Sequence, residues 1–195
     1  MALAMDLARI LGDTVIANAI AAALTVVLVV GAWQKLRDRE LFLAALDNYR
    51  LLPDALLAPA ATLLPLWELA AGALLLPGPT RFVGAALTAA LLATVTGAVA
   101  LNLLRGHRHF DCGCNGFSGG AAGDVGEQQL SWALVVRNLI LILALAACVG
   151  ENWSRPLVWF DYFSVAFATL ALLGLYVSAN QLMANHPRLQ ALRNH

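Results

Sequence analysis

The sequence predicts an all-α integral membrane protein, one bundle of five membrane-spanning helices, on three observations. Composition is the first. Of 195 residues, 61% are hydrophobic and 12% charged, with a mean hydropathy of +0.74, whereas a soluble domain carries about a quarter charged residues. The second is a set of five apolar runs, Thr14–Trp33, Ala55–Leu76, Phe82–Leu104, Ser131–Val149 and Val158–Ala179, with the charges swept into the gaps. Each has roughly the 20 residues a helix needs to cross a ~30 Å hydrocarbon core. Third, the runs are continuous rather than alternating. A lipid-exposed backbone must satisfy its own hydrogen bonds, and an unbroken apolar run does so as a helix, not as a barrel strand.

The flank of the first run, Met1 to Asp13, sets one Arg against two Asp. It lacks a basic n-region, so no cleavable signal peptide is expected. After that run comes "QKLRDRELFLAALDNYRLLPD", Gln34–Asp54. Leu41, Phe42, Ala45, Leu46 and Tyr49 recur there at three- and four-residue spacing with charges between them, which predicts an amphipathic helix in the membrane interface, ended by Pro53.

The second run holds Pro59, Pro65 and Glu68. On a helix, Glu68 shares a face with Ala61, Pro65, Ala71 and Gly72. Small residues let another helix approach closely, so Glu68 is expected to point into the bundle. An intramembrane carboxylate is costly and marks a functional site or a hydrogen bond between helices. The fourth run opens on Ser131, a good N-cap residue, and contains Arg137-Asn138. Arg137 lies roughly 9 Å from the start of that helix, with Glu68 roughly 9 Å deeper. Arg137 therefore either snorkels to the surface or meets Glu68 across the bundle.

The longest polar gap, Arg105–Leu130, has 26 residues, seven of them glycine, and begins "RGHRHFDCGCNGF". Cys112 and Cys114 allow three readings. As a Cys-x-Cys disulfide the ring is tight, Gly113 accepts the required backbone angles, and a strained bond exchanges easily. Arg105, Arg108, His107 and His109 would favour the reactive thiolate. Alternatively His107, His109, Cys112 and Cys114 form a zinc-type ligand set, although structural sites usually spread their ligands over two elements. The last reading is two ordinary loop thiols. Cys148, roughly 25 Å along the fourth helix from Ser131, cannot pair with either. It shares a face with Arg137 and reads as a small buried residue, or as a relay thiol.

Net charge is zero, which argues against a nucleic-acid partner; the lipid bilayer is the expected surrounding. With five spans, one side carries Arg9, Arg81 and Arg155. The other carries Lys35, Arg37, Arg39, Arg50, Arg105, Arg108, Arg188 and Arg193. The excess of positive charge favours the cytoplasm for the second side, which includes the cysteine loop.

The order "YRLLP", a span with "P-x-x-E-L", "DCGC" after the third span and "LSWALVVRN" opening the fourth resembles the MauE methylamine utilisation family. The likeness covers nearly the whole chain. It implies a DoxX-like four-helix membrane bundle with one extra span, in a bacterial inner membrane. It also implies a role in maturing, processing or transporting the disulfide-rich small subunit of methylamine dehydrogenase, with a thioredoxin-like MauD-type protein as partner. Cys112 and Cys114 match the redox pair such a role needs, and Arg137, Asn138 and Glu68 match more loosely. Disulfide work in the periplasm conflicts with the charge-based topology, unless electrons cross the membrane by way of Cys148. Two other readings stand beside thiol–disulfide exchange: a non-catalytic scaffold or transport factor, and a quinone-linked oxidoreductase whose quinone carbonyl would meet Arg137, Asn138 or His109.

Overall fold

The computed structural model describes residues 13–106, 132–149 and 158–193, with side chains through residue 183. Its α-helices are α1 (Thr14–Arg37), α2 (Arg39–Asn48), α3 (Asp54–Leu75), α4 (Arg81–Leu104), α5 (Trp132–Cys148) and α6 (Trp159–Arg193), with a short 3-10 turn at Gly78–Thr80. Helices α1, α3, α4 with its preceding turn, and α6 are long and apolar enough to cross a membrane; α5 is apolar but shorter, at 17 residues. The chain is a multi-pass helical membrane protein.

Helix α1 begins where Asp13 accepts the Val15 N–H at 2.8 Å, satisfying one of the donors a helix start leaves open. It ends on Lys35 and Arg37, cations that suit the negative end of a helix dipole. Its buried residues fall on more than one face: Ala17, Ala21, Leu24 and Leu28 on one, Ala19 and Ala23 on nearly the opposite one. That pattern arises because α1 packs against α3, α5 and α6 together. Helices α3 and α4 pair, and α4 pairs with α5, so α1, α3, α4 and α5 close a ring; α6 lies outside it against α1. Thr169 of α6 donates to the Ala19 carbonyl at 3.4 Å.

The hairpin between α3 and α4 is tied by polar groups. Thr80 Oγ1 donates to the Leu74 carbonyl at 2.9 Å, and Arg81 donates to the Leu75 and Leu76 carbonyls that end α3. Arg81 also reaches Asn18 Oδ1 of α1 at 2.6 Å. Beside it, α4 comes so close that a Cβ on Gly84 would lie 2.5 Å from the Leu75 nitrogen. Farther along, Trp67 Nε1 donates to the Leu87 carbonyl at 3.2 Å, and Thr25 Oγ1 links α1 to the Gly72 carbonyl of α3 at 3.1 Å.

Two expectations shift. The Gln34–Asp54 connector divides: Gln34 to Arg37 extend α1, and the separate helix is Arg39–Asn48. Its apolar side faces the protein, with Phe42, Ala45 and Tyr49 buried and Tyr49 packed with Val99, Leu103 and Leu134. Leu41, counted in the same stripe, is 59% exposed. The last helix runs past Ala179 to Arg193. Hydropathy marks where hydrocarbon contact ends, whereas backbone hydrogen bonding continues into polar sequence. The face of α6 that carries Phe160, Phe163, Phe167, Leu170 and Leu175 is exposed, as a lipid-facing side is.

Gly84→Ala is expected to cost about 1–3 kcal/mol by forcing α3 and α4 apart. Gly97→Ala, where nothing lies within 4 Å of a new Cβ, should be neutral or slightly stabilising. Thermal unfolding of the detergent-solubilised variants separates the two, and equal behaviour would contradict the close approach at Gly84.

Candidate functional site: a charged cleft inside the bundle

A cleft of about 60 Å³ lies among the helices. Its walls are mostly aliphatic, from Val27, Leu28, Leu91, Leu92, Val95 and Leu141, while Lys35, Glu68, Arg137, Asn138 and Tyr176 supply its polar groups. A volume of this size admits a few waters or a small polar group.

Glu68 is 6% exposed and points inward, as its helical face predicts. Its partner is Lys35: the ammonium forms an ion pair with Glu68 Oε1 across α1 and α3. Lys35 also sits 5.5 Å from the centre of the Phe42 ring, so α2 covers the pair. The other carboxylate oxygen, Glu68 Oε2, is buried with no hydrogen-bond partner among the described residues. Gly31, one turn before Lys35, leaves the space in front of it open. A Cβ there would stand 3.8 Å from Oε2.

Arg137 takes the opposite wall. Its Nε–H and Nη2–H donate to Asn138 Oδ1 at 3.3 and 3.2 Å, and Nη1–H donates to Asn180 Oδ1 of α6 at 3.0 Å. Its guanidinium lies 5.8 Å from the centre of the Tyr176 ring. Arg137 and Glu68 thus share one cleft without an ion pair between them, because Lys35 has taken the carboxylate. Amide oxygens and a ring face lower the cost of burying the guanidinium without neutralising its charge.

Sequence reasoning missed Lys35, Tyr176 and Asn180. Lys35 was assigned to the connector because the apolar run ends at Trp33. The usable signal was spacing: Leu28, Gly31 and Lys35 fall at helical intervals that carry α1's inner face one turn further. Tyr176 in the last run and Asn180, one residue past its end, are four apart and mark a polar stripe on one face in the same way.

Cys148 is 2% exposed, with its thiol 3.7 Å from the Ala17 carbonyl and 3.6 Å from its own Ala144 carbonyl. It packs with Ala21, Leu24, Leu75, Ala85, Leu92 and Leu145, the setting of a small apolar residue. His107, His109, Cys112 and Cys114 lie outside the described residues. The described helices on either side of that segment, α4 ending at Leu104 and α5 beginning at Trp132, meet through Leu103 and Leu134 in one cluster.

Fold and site together define a class: a multi-pass membrane protein with an ion pair and an arginine inside its helix bundle. The particular family follows from comparison. The profile described as "Methylamine utilisation protein MauE" matches residues 13–151, and the chain belongs to the MauE family. It is 36% identical over 160 residues to the methylamine utilization protein MauE of Paracoccus denitrificans, covering 82% of each chain. It is 35% identical to that of Paracoccus versutus, over 92% of this chain and 95% of the relative. For Methylorubrum extorquens the identity is 33%, over 90% of each. No solved structure matches.

Replacing Glu68 with Leu strands the Lys35 ammonium and should lower stability by up to about 3 kcal/mol, whereas Glu68→Gln, which keeps a hydrogen-bond acceptor, should cost less. Adding Lys35→Met to Glu68→Leu should recover part of the loss. Thermal melts of the three variants check this; full tolerance of Leu alone would show that Lys35 does not depend on Glu68.

Proposed function

We propose that this protein matures the disulfide-rich small subunit of methylamine dehydrogenase by thiol–disulfide exchange at Cys112 and Cys114, with a thioredoxin-like MauD-type protein as partner. Membership of the MauE family, over a stretch that includes both cysteines, carries the reading. Supporting it, Cys112 follows Arg105 at the end of α4 by seven residues, within a stretch rich in cations that favour thiolate. In each exchange a thiolate attacks a disulfide sulfur, a new S–S bond forms, and the displaced sulfur leaves as thiolate. One dithiol is oxidised as one disulfide is reduced, so electrons balance between this pair and the partner. Glu68 and Arg137 line the cleft and take no part in the exchange itself.

The same reading gives the chain five spans in the inner membrane, the DoxX-like ring of four plus α6. Helix α5 is about 25 Å long, short of a typical core, and local thinning of the bilayer lets it cross.

In cells expressing the methylamine dehydrogenase cluster, Cys112→Ser and Cys114→Ser are each expected to abolish dehydrogenase maturation, and one of them to trap a mixed disulfide on non-reducing gels. Cys148→Ala should mature the enzyme normally. Maturation by both serine variants, with no captured partner, would leave the protein as a scaffold or transport factor. Reporter fusions after each span should alternate in side; two successive fusions on the same side around α5 would remove it as a span.

A further inference from the structure

The cleft holds two cations, Lys35 and Arg137, against one carboxylate, Glu68, and so carries one formal positive charge in excess among its described residues. Lys35 is matched by Glu68. Among the described residues Arg137 is matched by amide oxygens and a ring face. Three of its five N–H groups are used in described hydrogen bonds, which leaves two for a ligand. Facing the same space is an acceptor that lacks a donor, the buried Glu68 Oε2. A simple anion would satisfy Arg137 and be repelled by that oxygen. A neutral alcohol would satisfy the oxygen and leave the charge. A monoanion that also carries a hydroxyl satisfies both.

Depth narrows the source. Arg137 stands about 8 Å from the start of α5 and Lys35 about 3 Å from the end of α1, which turns the cleft's mouth toward one membrane surface, while Glu68, Leu91 and Leu92 place its floor at mid-bundle. Its walls are aliphatic. We propose that the cleft binds the head of an acidic, hydroxylated phospholipid of the phosphatidylglycerol type. The phosphodiester stays at the mouth, where its oxygens accept from Arg137, only the glycerol hydroxyl enters to donate to Glu68 Oε2, and the lipid body remains outside in the bilayer. The inference is independent of the chemistry at Cys112 and Cys114.

The full-length protein, purified in detergent, is offered phosphatidylglycerol, phosphatidylmethanol (the same phosphodiester charge without a hydroxyl) or phosphatidylcholine, and retained lipid is read by native mass spectrometry. Wild type should retain them in that order. Arg137→Gln should lower the ratio of phosphatidylglycerol to phosphatidylcholine about tenfold, the factor that corresponds to ~1.4 kcal/mol. Arg37→Gln, which removes an exposed cation at the same end, should change it by less than about twofold. Gly31→Leu, which keeps every charge but fills the space before Glu68, should lower phosphatidylglycerol retention as Arg137→Gln does. Equal retention of phosphatidylglycerol and phosphatidylmethanol by wild type would overturn the role of Glu68 and needs no variant to fold. Equal losses in Arg37→Gln and Arg137→Gln would overturn the site, leaving only a general attraction of acidic lipid to this end. Displacement of the lipid by free glycerophosphoglycerol at matched concentration would overturn the membrane source in favour of a soluble phosphodiester.

Discussion

Close approach of helices around α1 is the constraint on which the rest of the structure depends. Within hydrocarbon, apolar side chains gain little by leaving lipid for one another, so helices associate through tight packing and a few hydrogen bonds. Ala17, Ala19, Ala21, Ala23 and Ala32 keep α1 slim on several sides, which lets α3, α5 and α6 reach its backbone. The hydrogen bonds from Thr25 to the Gly72 carbonyl, from Thr169 to the Ala19 carbonyl and from Cys148 to the Ala17 carbonyl are all made at that short range. The tight hairpin at Gly84 extends the same principle to α3 and α4, where one missing Cβ lets two backbones touch.

Such packing leaves little room for polar groups, so their positions carry meaning. Glu68 would be costly in an apolar bundle; the Lys35 ammonium, brought over by one more turn of α1 and covered by Phe42, makes it tolerable. Once Lys35 has the carboxylate, Arg137 must be held by Asn138, Asn180 and Tyr176, drawn from its own helix and from α6. Although α6 lies outside the ring of four, it still contributes to the cleft at the centre. An added helix whose exposed side carries phenylalanines and leucines thus has a polar task on its inner side.

The cleft opens toward the end of the bundle where α4 closes and α5 begins. The chain leaves α4 at Arg105 and enters α5 at Trp132, and Arg137 lies little more than a turn beyond that entry. Cys148 sits eleven residues farther, about 16 Å along α5, buried among aliphatic side chains near the start of α1. Its surroundings are those of a packing residue, and that separation sets it apart from the chemistry proposed for Cys112 and Cys114.

The sequence by itself determined the class of fold, because apolar runs of bilayer length between charged gaps leave a backbone no other way to satisfy its hydrogen bonds. Family membership was legible as a resemblance, since "DCGC", "LSWALVVRN" and "P-x-x-E-L" are contiguous stretches that need no tertiary contact to be recognised. The inward aim of Glu68 was legible too, since a helical face of Ala61, Pro65, Ala71 and Gly72 admits a neighbour. Which cation that carboxylate meets was decided only by tertiary structure. Counting along the helices offered Arg137 alone, whereas Lys35 takes the carboxylate because α1 continues a turn past Trp33 and places its ammonium beside α3. The roles of Tyr176, Asn180 and the buried face of α2 were settled in the same way, by which helix packs on which. Periodicity shows that a face exists, but the partner for that face is chosen by distances between segments far apart in the chain.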